Sequence, residues 1–172
     1  MSRLFKLLLV LSLAGAVTAT PALAQRMKLG GGVVLPQGDY GNDVKTGWHA
    51  MGAVTFRPPA APVGFRVDGA YNLSPLDLPA DLDASSAIIT VSGDVVYAID
   101  AAGVSPYVLG GATWGHAECT GDACPFNTSY DDWGYNFGAG LDLGIFFAEA
   151  RYVWLGGDVE SSMVPITVGV HF

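Results

Sequence analysis

Five charged residues sit between apolar or glycine neighbours, which limits the chemistry that they can carry out. Carboxylates and guanidinium groups held together away from water form strong charge-assisted hydrogen bonds. A shielded carboxyl group can instead relay protons or line a pore. We favour pairing, because a buried ion is tolerated only beside a partner of opposite charge. The five are Arg66, Asp68, Asp94, Glu149 and Arg151.

Two cysteines, Cys119 and Cys124, lie close together in the sequence. We predict a disulfide between them, because the chain begins with an export signal (described below) and exported proteins meet an oxidising compartment. The alternative is a metal site in which His116, Glu118 and Asp122 join the two thiolates. The His-x-x-Cys spacing is a weak signal for metal binding, so we expect neither a metal nor another cofactor.

Catalysis has little support among the histidines. His49 and His116 are predicted near the same rim of the fold, and Ser129 with Asp131 or Asp132 would complete a Ser-His-acid set with His116. No motif fixes that geometry, and any polar loop contains such residue types. We therefore predict that the chain is not an enzyme.

The amino-acid composition limits the class of protein to which these side chains can belong. Of the 172 residues, 51% are hydrophobic, and the formal net charge is -8. The small number of bases argues against nucleic-acid binding, since phosphate contacts need clustered Lys and Arg. The apolar content excludes intrinsic disorder. The mean hydropathy is positive, which favours a membrane setting.

Residues 1–24 have the pattern of a secretory signal peptide. Arg3 and Lys6 form a basic start, and Leu7–Val17 is a short apolar core. Ala22-Leu23-Ala24 offers the small residues that signal peptidase requires. A membrane anchor is the alternative, but the apolar core is shorter than the ~20 residues that a spanning helix needs. We expect this segment to be removed.

Residues 25–172 form one predicted domain with no apolar stretch of the ~18 residues that a membrane helix requires. The remaining structure that a bilayer tolerates is a closed β-barrel, because its backbone polar groups are all paired. The predicted fold is all-β, an eight-stranded antiparallel up-and-down transmembrane β-barrel. The strands are predicted at Lys28–Leu35, Gly47–Arg57, Gly64–Leu73, Ala87–Ala98, Val104–Gly115, Trp133–Leu141, Ile145–Leu155 and Met163–Phe172.

The predicted strands have one apolar face and one polar or charged face. In the seventh strand, for example, Phe146, Ala148 and Ala150 alternate with Glu149 and Arg151. In a membrane barrel the apolar faces point outward to lipid and the charged faces point inward. Counted from the short turns, the five charged residues lie at nearly one depth, and an eight-stranded barrel is narrow enough for its own side chains to fill. We therefore predict a carboxylate–guanidinium network that plugs the lumen.

Short and long connections alternate between the predicted strands. Outer-membrane barrels have short periplasmic turns and long extracellular loops, which places both termini in the periplasm. The long loops hold eleven acids and one base, Lys45. We favour a solvated, repulsive rim that keeps the protein monomeric; the alternative is capture of divalent cations or a surface ligand. The acids are Asp39, Asp43, Asp77, Asp81, Asp83, Glu118, Asp122, Asp131, Asp132, Asp158 and Glu160.

The aromatic residues sort by strand end, as they do in the two interfacial girdles of a membrane barrel. The tryptophans near the long loops are Trp48, Trp114, Trp133 and Trp154. The aromatic residues near the short turns are Phe56, Phe65, Tyr97, Tyr107, Phe146 and Phe172. Tyr107 and Trp114 have opposite parity on one strand, and a β-bulge near Gly110-Gly111 would let both face lipid.

The chain resembles the small eight-stranded outer-membrane barrels typified by OmpX and the membrane domain of OmpA. The resemblance rests on the signal ending at Ala24, the segment Pro106-Tyr107-Val108-Leu109-Gly110-Gly111 and the final segment of the chain. It implies outer-membrane lipid and lipopolysaccharide as surroundings. It also implies that the last strand is recognised by the barrel assembly machinery, through Ile166, Val168, Val170 and Phe172.

Together these patterns predict an integral outer-membrane barrel with a plugged polar lumen and acidic extracellular loops, in a structural or surface-interaction role. Three alternatives stay open: a lipid-A-modifying enzyme on the same scaffold, a narrow channel, and a soluble secreted barrel that binds an apolar ligand inside. The soluble barrel requires the apolar faces to point inward, and the sorted aromatic residues argue against it.

Overall fold

The period-two alternation of apolar and polar residues produces eight strands and one short helix in the computed structural model. The structure describes residues 24–58, 61–79, 84–99, 103–121, 124, 129–157 and 160–172. The predicted signal peptide therefore lies outside the described residues, except for Ala24, which begins the first strand. The strands are β1 (Ala24–Gln37), β2 (Gly47–Arg57), β3 (Val63–Pro75), β4 (Ala84–Ala98), β5 (Val104–Gly121), β6 (Ser129–Leu143), β7 (Phe146–Gly156) and β8 (Ser161–His171).

The eight strands close into a single barrel in which each strand pairs with its sequence neighbours. All pairs are antiparallel, and β1 completes the ring by pairing with both β2 and β8. Gly32 illustrates the closure, since it lies opposite His49 on one side and Thr167 on the other. Closure gives each strand a hydrogen-bonded neighbour on both sides, so the described sheet has no edge strand. The predicted eight-stranded antiparallel barrel is confirmed.

The barrel has two unlike ends. At the long-loop end, the connections follow β1, β3, β5 and β7; at the short-turn end, they follow β2, β4 and β6. The first long loop contains α1 (Tyr40–Asp43), a single helical turn that the sequence analysis did not predict. No helix among the described residues has the length and apolar character needed to cross a membrane.

Several strands extend further than the sequence predicts. β5 continues from the expected Gly115 to Gly121, and β6 begins at Ser129 instead of Trp133, so the third long loop is largely a paired hairpin. The pairing continues through polar positions as far as Glu118 opposite Ser129. Outside the membrane both faces of a strand meet water, so backbone pairing there needs no apolar face. The alternation of apolar and polar residues therefore stops before the paired strands do.

The predicted bulge in β5 is wrong. β5 pairs residue for residue with β4 and β6 through Gly110 and Gly111. Tyr107 consequently faces the lumen and is 5% exposed, so its assignment to an outward-facing girdle is also wrong. Gly140 leaves room for the ring, because a Cβ there would collide with it. The phenol is accommodated inside because its hydroxyl finds a carboxylate partner there, described below.

Candidate functional site

All five charged residues that the sequence predicts to face the lumen point into the barrel. Arg66, for example, is 1% exposed, whereas Val91 and Val168 on the outer face are 46% and 62% exposed. The apolar side of the alternation therefore faces outward, and the charged side faces the lumen. The buried charged residues at mid-depth are Arg66, Asp68, Asp94, Glu149 and Arg151, which we call the charge belt.

Arg66 links two strands on opposite sides of the barrel. Its Nη1 donates to Glu149 Oε2 at 2.6 Å, and its Nη2 donates to Glu149 Oε1 at 3.2 Å. Its Nε also lies 3.2 Å from Asp68 Oδ2, as an ion pair without hydrogen-bond alignment. Arg66 is on β3 and Glu149 is on β7, which are four strands apart in a ring of eight. The forked pair therefore spans the diameter of the lumen.

Arg151 crosses the lumen in the opposite direction. From β7 its Nη1 and Nη2 donate to the two oxygens of Asp68 on β3, at 3.1 and 2.5 Å. Its Nη2 also donates to Asp94 Oδ2 at 2.9 Å, and its Nε lies 2.9 Å from Glu149 Oε1. Two guanidinium groups and three carboxylates thus form one connected cluster. Its chemistry is charge-assisted hydrogen bonding, in which each buried ion has partners of opposite charge.

Polar residues that the sequence analysis did not single out extend the charge belt to β5 and β6. The Tyr107 hydroxyl donates to Glu149 Oε2 at 2.7 Å. Asn136 Nδ2 lies within 2.8 Å of both Asp94 Oδ1 and Thr113 Oγ1. Asn136 stands between Tyr135 and Phe137, so strand parity is the signal that identifies it as lumen-facing.

A second ionic group lies between the charge belt and the short-turn end. Lys28 Nζ donates to Asp142 Oδ1 at 2.6 Å, and Arg26 Nη1 lies 3.6 Å from Asp142 Oδ2. The Lys28 ammonium also stands over the rings of Tyr107 and Phe147, 3.9 and 4.8 Å from their centroids. The sequence pattern predicts Asp142 in a short turn, whereas β6 continues to Leu143 and the Asp142 carboxylate meets Lys28 inside the barrel.

The lumen between the charge belt and the long-loop end holds a buried apolar cluster, against which Tyr40 of α1 packs. Three buried polar side chains, His49, Asn72 and Thr90, face this part of the lumen as well. The Tyr40 hydroxyl hydrogen-bonds Ser86 Oγ at 2.9 Å, which fixes α1 against the barrel. The sequence predicts a polar inner face for each strand. In the structure, the inner face is charged at mid-depth and carries apolar residues nearer the long loops. The apolar cluster consists of Val34, Ile88, Val153, Leu155 and Met163.

The two histidines predicted near one rim lie in different environments. His49 is buried in the lumen, where its Nε2 lies 3.3 Å from the Ile166 carbonyl oxygen and 3.2 Å from Thr167 Oγ1. His116 lies on the β5–β6 hairpin, stacked on the Trp114 ring. The structure therefore does not bring these histidines together.

Both ring nitrogens of His116 face carboxylates. Nδ1 lies 2.8 Å from Asp131 Oδ1, and Nε2 lies 2.9 Å from Glu118 Oε1. A catalytic set with Ser129 requires one of these nitrogens to accept the serine proton, and both are occupied. The arrangement suits an imidazolium ion, since both nitrogens of that form are donors.

The environment of His116 predicts a measurable pH dependence. Hydrogen bonds, first to Glu118 and then to Asp131, raise the pKa of His116 above its usual value. A raised folded-state pKa means that the stabilisation is fully present below the unfolded-state pKa of about 6.5. It is lost as the pH rises through the folded-state pKa. We expect NMR titration of the His116 ring protons to give a midpoint above that of a free histidine.

Neutral variants of the two carboxylates provide the control. Glu118→Gln and Asp131→Asn should each lower the midpoint of His116, because each removes a negative charge and weakens a hydrogen bond that raises its pKa. A wild-type midpoint at or below that of a free histidine would contradict the imidazolium interpretation.

Cys119 and Cys124 form a disulfide near the tip of the β5–β6 hairpin, with their Cα atoms 5.6 Å apart. The alternative metal site loses both thiolate ligands as a result, and Asp122 lies outside the described residues. Among the residues that the structure describes, no group of three or more His, Cys, Asp or Glu side chains is arranged to hold a metal ion.

The acidic residues of the long loops are only partly described. Lys45, the base among them, pairs with Asp77 at 2.8 Å. Trp154 Nε1 donates to Glu160 Oε1 at 2.5 Å. The acids outside the described residues are Asp81, Asp83, Asp122 and Asp158. The described acids of these loops are Asp39, Asp43, Asp77, Glu118, Asp131, Asp132 and Glu160.

The outer face carries the tryptophans towards the long-loop end. Trp114 and Trp133 lie opposite each other on β5 and β6. Trp48 packs against Tyr71 with ring centroids 5.7 Å apart. Trp154 stacks on Tyr135 at 5.1 Å.

The C-terminal segment presents its apolar residues outward. Phe172 exchanges backbone hydrogen bonds with Met27 on β1, so the last residue is held in the ring although β8 formally ends at His171. The exposed outer residues of this segment are Ile166, Val168, Val170 and Phe172.

The chain is similar to known barrels in sequence pattern and in fold. The sequence model of the outer membrane protein beta-barrel domain family matches residues 7–172. No curated protein matches the chain at a significant level.

Three solved structures share the architecture at low sequence identity. Neisserial surface protein A superposes with a TM-score of 0.67 at 14% identity, over 86% of this chain and 95% of that chain. Pseudomonas aeruginosa OprG gives 0.56 at 15% identity, over 87% and 97%. The N-terminal β-barrel domain of Pseudomonas aeruginosa OprF gives 0.51 at 18% identity, over 86% and 96%. At these identities the similarity establishes the fold and not a shared activity.

Proposed function

Because the chain belongs to the outer membrane protein beta-barrel domain family, we propose that it is an outer-membrane barrel with a closed lumen. In this proposal its role is structural, or it interacts with partners through its acidic loops. The long loops then face the cell exterior, and both termini face the periplasm. Lipid and lipopolysaccharide surround the outward apolar face, and the barrel assembly machinery recognises the C-terminal segment through the outward-facing residues Ile166, Val168, Val170 and Phe172.

The observation that carries the proposal is the pair of ionic contacts across the diameter of the barrel. Arg66 reaches Glu149 and Arg151 reaches Asp68, in both cases between β3 and β7. The apolar cluster and the group around Lys28 occupy the lumen on either side of these contacts. A permeating ion would have to separate these pairs and then pass the apolar cluster, which offers it no polar partner.

The acidic loops support the interactive part of the role. Seven acids of the long loops are described, against one base, Lys45, which is itself paired with Asp77. Such a rim attracts cations and repels other acidic surfaces, including further copies of this chain, so the barrel is expected to be a monomer. Divalent cations are suitable partners for its carboxylate oxygens. The enzyme alternative is weakened because Glu118 and Asp131 occupy both nitrogens of His116.

Planar-bilayer recording tests the closed lumen. We expect purified protein, shown to be folded by its heat-dependent gel mobility, to give no discrete conductance steps. The matched variant is Asp68→Ala/Arg151→Ala, which removes one diametric pair while Arg66 keeps Glu149 and Asp94 keeps Asn136. This variant should conduct more readily than the wild type. Discrete steps from the folded wild type would show a channel instead.

A further inference from the structure

A small polar cavity lies in the lumen between the charge belt and the apolar cluster. It has a volume of about 20 Å³, which is enough for one water molecule, since a buried water needs roughly 10–15 Å³. Arg151 of the charge belt lines it, as does Met163 of the apolar cluster. Three of its lining residues, His49, Asn72 and Arg151, each have a buried polar atom that makes no hydrogen bond to the described residues.

The contacts of His49 make its second ring nitrogen an acceptor. Nε2 lies 3.3 Å from the Ile166 carbonyl oxygen and 3.2 Å from Thr167 Oγ1. A carbonyl oxygen can only accept and a hydroxyl can accept as well, so the neutral ring carries its proton on Nε2. Nδ1 then presents a lone pair, and Nδ1 is the ring atom that has no partner among the described residues.

Asn72 contributes a second acceptor directly opposite His49. Its Nδ2 donates to the Ile88 carbonyl at 3.1 Å, which fixes the orientation of the amide, because only the NH2 group can donate. Oδ1 is therefore the atom without a described partner. Asn72 and His49 are paired in the β2–β3 register, and the Cβ atoms of such a pair are about 4.5–5.5 Å apart. One small molecule can consequently reach both acceptors.

Arg151 adds a donor to these two acceptors. Its Nε lies 2.9 Å from Glu149 Oε1, but the N–H is not aligned with that oxygen and has no hydrogen-bond partner among the described residues. The carboxylates that line the cavity, Asp68 and Glu149, are already paired with guanidinium groups. An anion would meet two lone pairs, and a metal ion would meet the Arg151 guanidinium group. The cavity therefore favours an uncharged ligand that has two donors and one acceptor.

We propose that the cavity binds a single water molecule, which donates to His49 Nδ1 and Asn72 Oδ1 and accepts from Arg151 Nε. A buried water typically makes about three hydrogen bonds, and these atoms supply three partners. The water satisfies three buried polar groups that would each cost free energy without a partner. It also joins β2 and β3 to the charge belt on β7. This site goes beyond the proposed function, since neither a surface role nor a lumen closed to ions requires it.

Water–protein NOE spectroscopy of the folded barrel in phospholipid nanodiscs tests the site. The protein is perdeuterated, with protonated methyl groups on methionine and leucine. Met51 and Met163 line the cavity, whereas Leu155 is buried in the apolar cluster and does not line it. We expect cross-peaks from water to the methyl groups of Met51 and Met163 and none to those of Leu155. No cross-peak at either methionine, or an equally strong one at Leu155, would overturn the proposal.

The nitrogen chemical shifts of the His49 ring distinguish a bound water from a bound proton. A protonated ring would donate directly from Nδ1 to Asn72 Oδ1, and no water would be needed between them. We expect the neutral ring with its proton on Nε2 at neutral pH. A ring that is protonated on both nitrogens, or on Nδ1 alone, would contradict the water assignment.

Two matched alanine variants test the location. Ala70 lines the cavity, so the two methyl groups added by Ala70→Val should displace the water and abolish both cross-peaks. Ala53 also lies buried in the lumen but does not line the cavity, so Ala53→Val should leave them unchanged. Cross-peaks that persist in Ala70→Val, or that are lost equally in Ala53→Val, would assign the water to another position.

A third variant removes one acceptor and keeps the test decisive if Ala70→Val does not fold. Asn72→Leu has a side chain of similar size without Oδ1, and it should weaken the cross-peaks at both methionines. Unchanged cross-peaks in Asn72→Leu would exclude the proposed hydrogen bond. Heat-dependent gel mobility confirms that each variant is folded. These outcomes do not depend on conductance, so the water site and the closed lumen fail or succeed separately.

Discussion

Replacing Arg151 by Met should lower the free energy of unfolding by about 3–5 kcal/mol, the cost of leaving buried charges without their partner. Arg151 contacts Asp68, Asp94 and Glu149, and all three carboxylates are buried. Without it, all three lose a guanidinium partner, and Asp94 is left with none, because Arg66 reaches only Asp68 and Glu149. Urea unfolding of the protein in detergent micelles, followed by intrinsic tryptophan fluorescence, measures the change.

A surface lysine provides the control for Arg151→Met. Lys45 pairs with Asp77, but both side chains are more than half exposed, so Lys45→Met should cost at most about 1 kcal/mol. Adding Asp68→Asn and Asp94→Asn to Arg151→Met removes the charges of the two carboxylates that received the Arg151 Nη hydrogen bonds and should recover part of the loss. If Arg151→Met and Lys45→Met had equal effects, the charge belt would not be a stabilising network.

Replacing Val91 by Arg should destabilise the folded barrel by about 2–4 kcal/mol, because the new charge would face hydrocarbon near the middle of the membrane. Val91 lies at the midpoint of β4 and points outward. The same unfolding assay measures the change, with the protein in lipid vesicles so that a bilayer of fixed thickness surrounds it.

An outward position beyond the tryptophans serves as the matched control for Val91→Arg. Ser129 begins β6 on the same outer face, four residues before Trp133, and it is exposed. Ser129→Arg places its charge in water and should change the stability by no more than about 0.5 kcal/mol. Equal costs at Val91 and Ser129 would mean that the outer face does not contact lipid hydrocarbon.

The sequence by itself determined the number of strands and the face on which most side chains lie. Successive side chains of a strand point to opposite sides, so the parity of Arg66 and Asp68 against Val67 predicts their common face without knowledge of any contact. Parity also identifies Asn136 as lumen-facing. At Tyr107 two signals conflict: an aromatic residue near a strand end is typical of a girdle, whereas parity with buried Leu109 places this one in the lumen.

Only the tertiary structure decided which side chains meet. Arg66 contacts Glu149 across 83 positions of the sequence, and Arg151 contacts Asp68 across the same separation. These pairings depend on ring closure and on the stagger of each strand against its neighbour, which alternation does not encode. The length of the β5–β6 hairpin and the position of α1 have the same origin. Outside the membrane both faces of a strand meet water, so the polar segments have no periodic pattern of apolar residues. Their positions follow from backbone pairing and from packing against the apolar cluster.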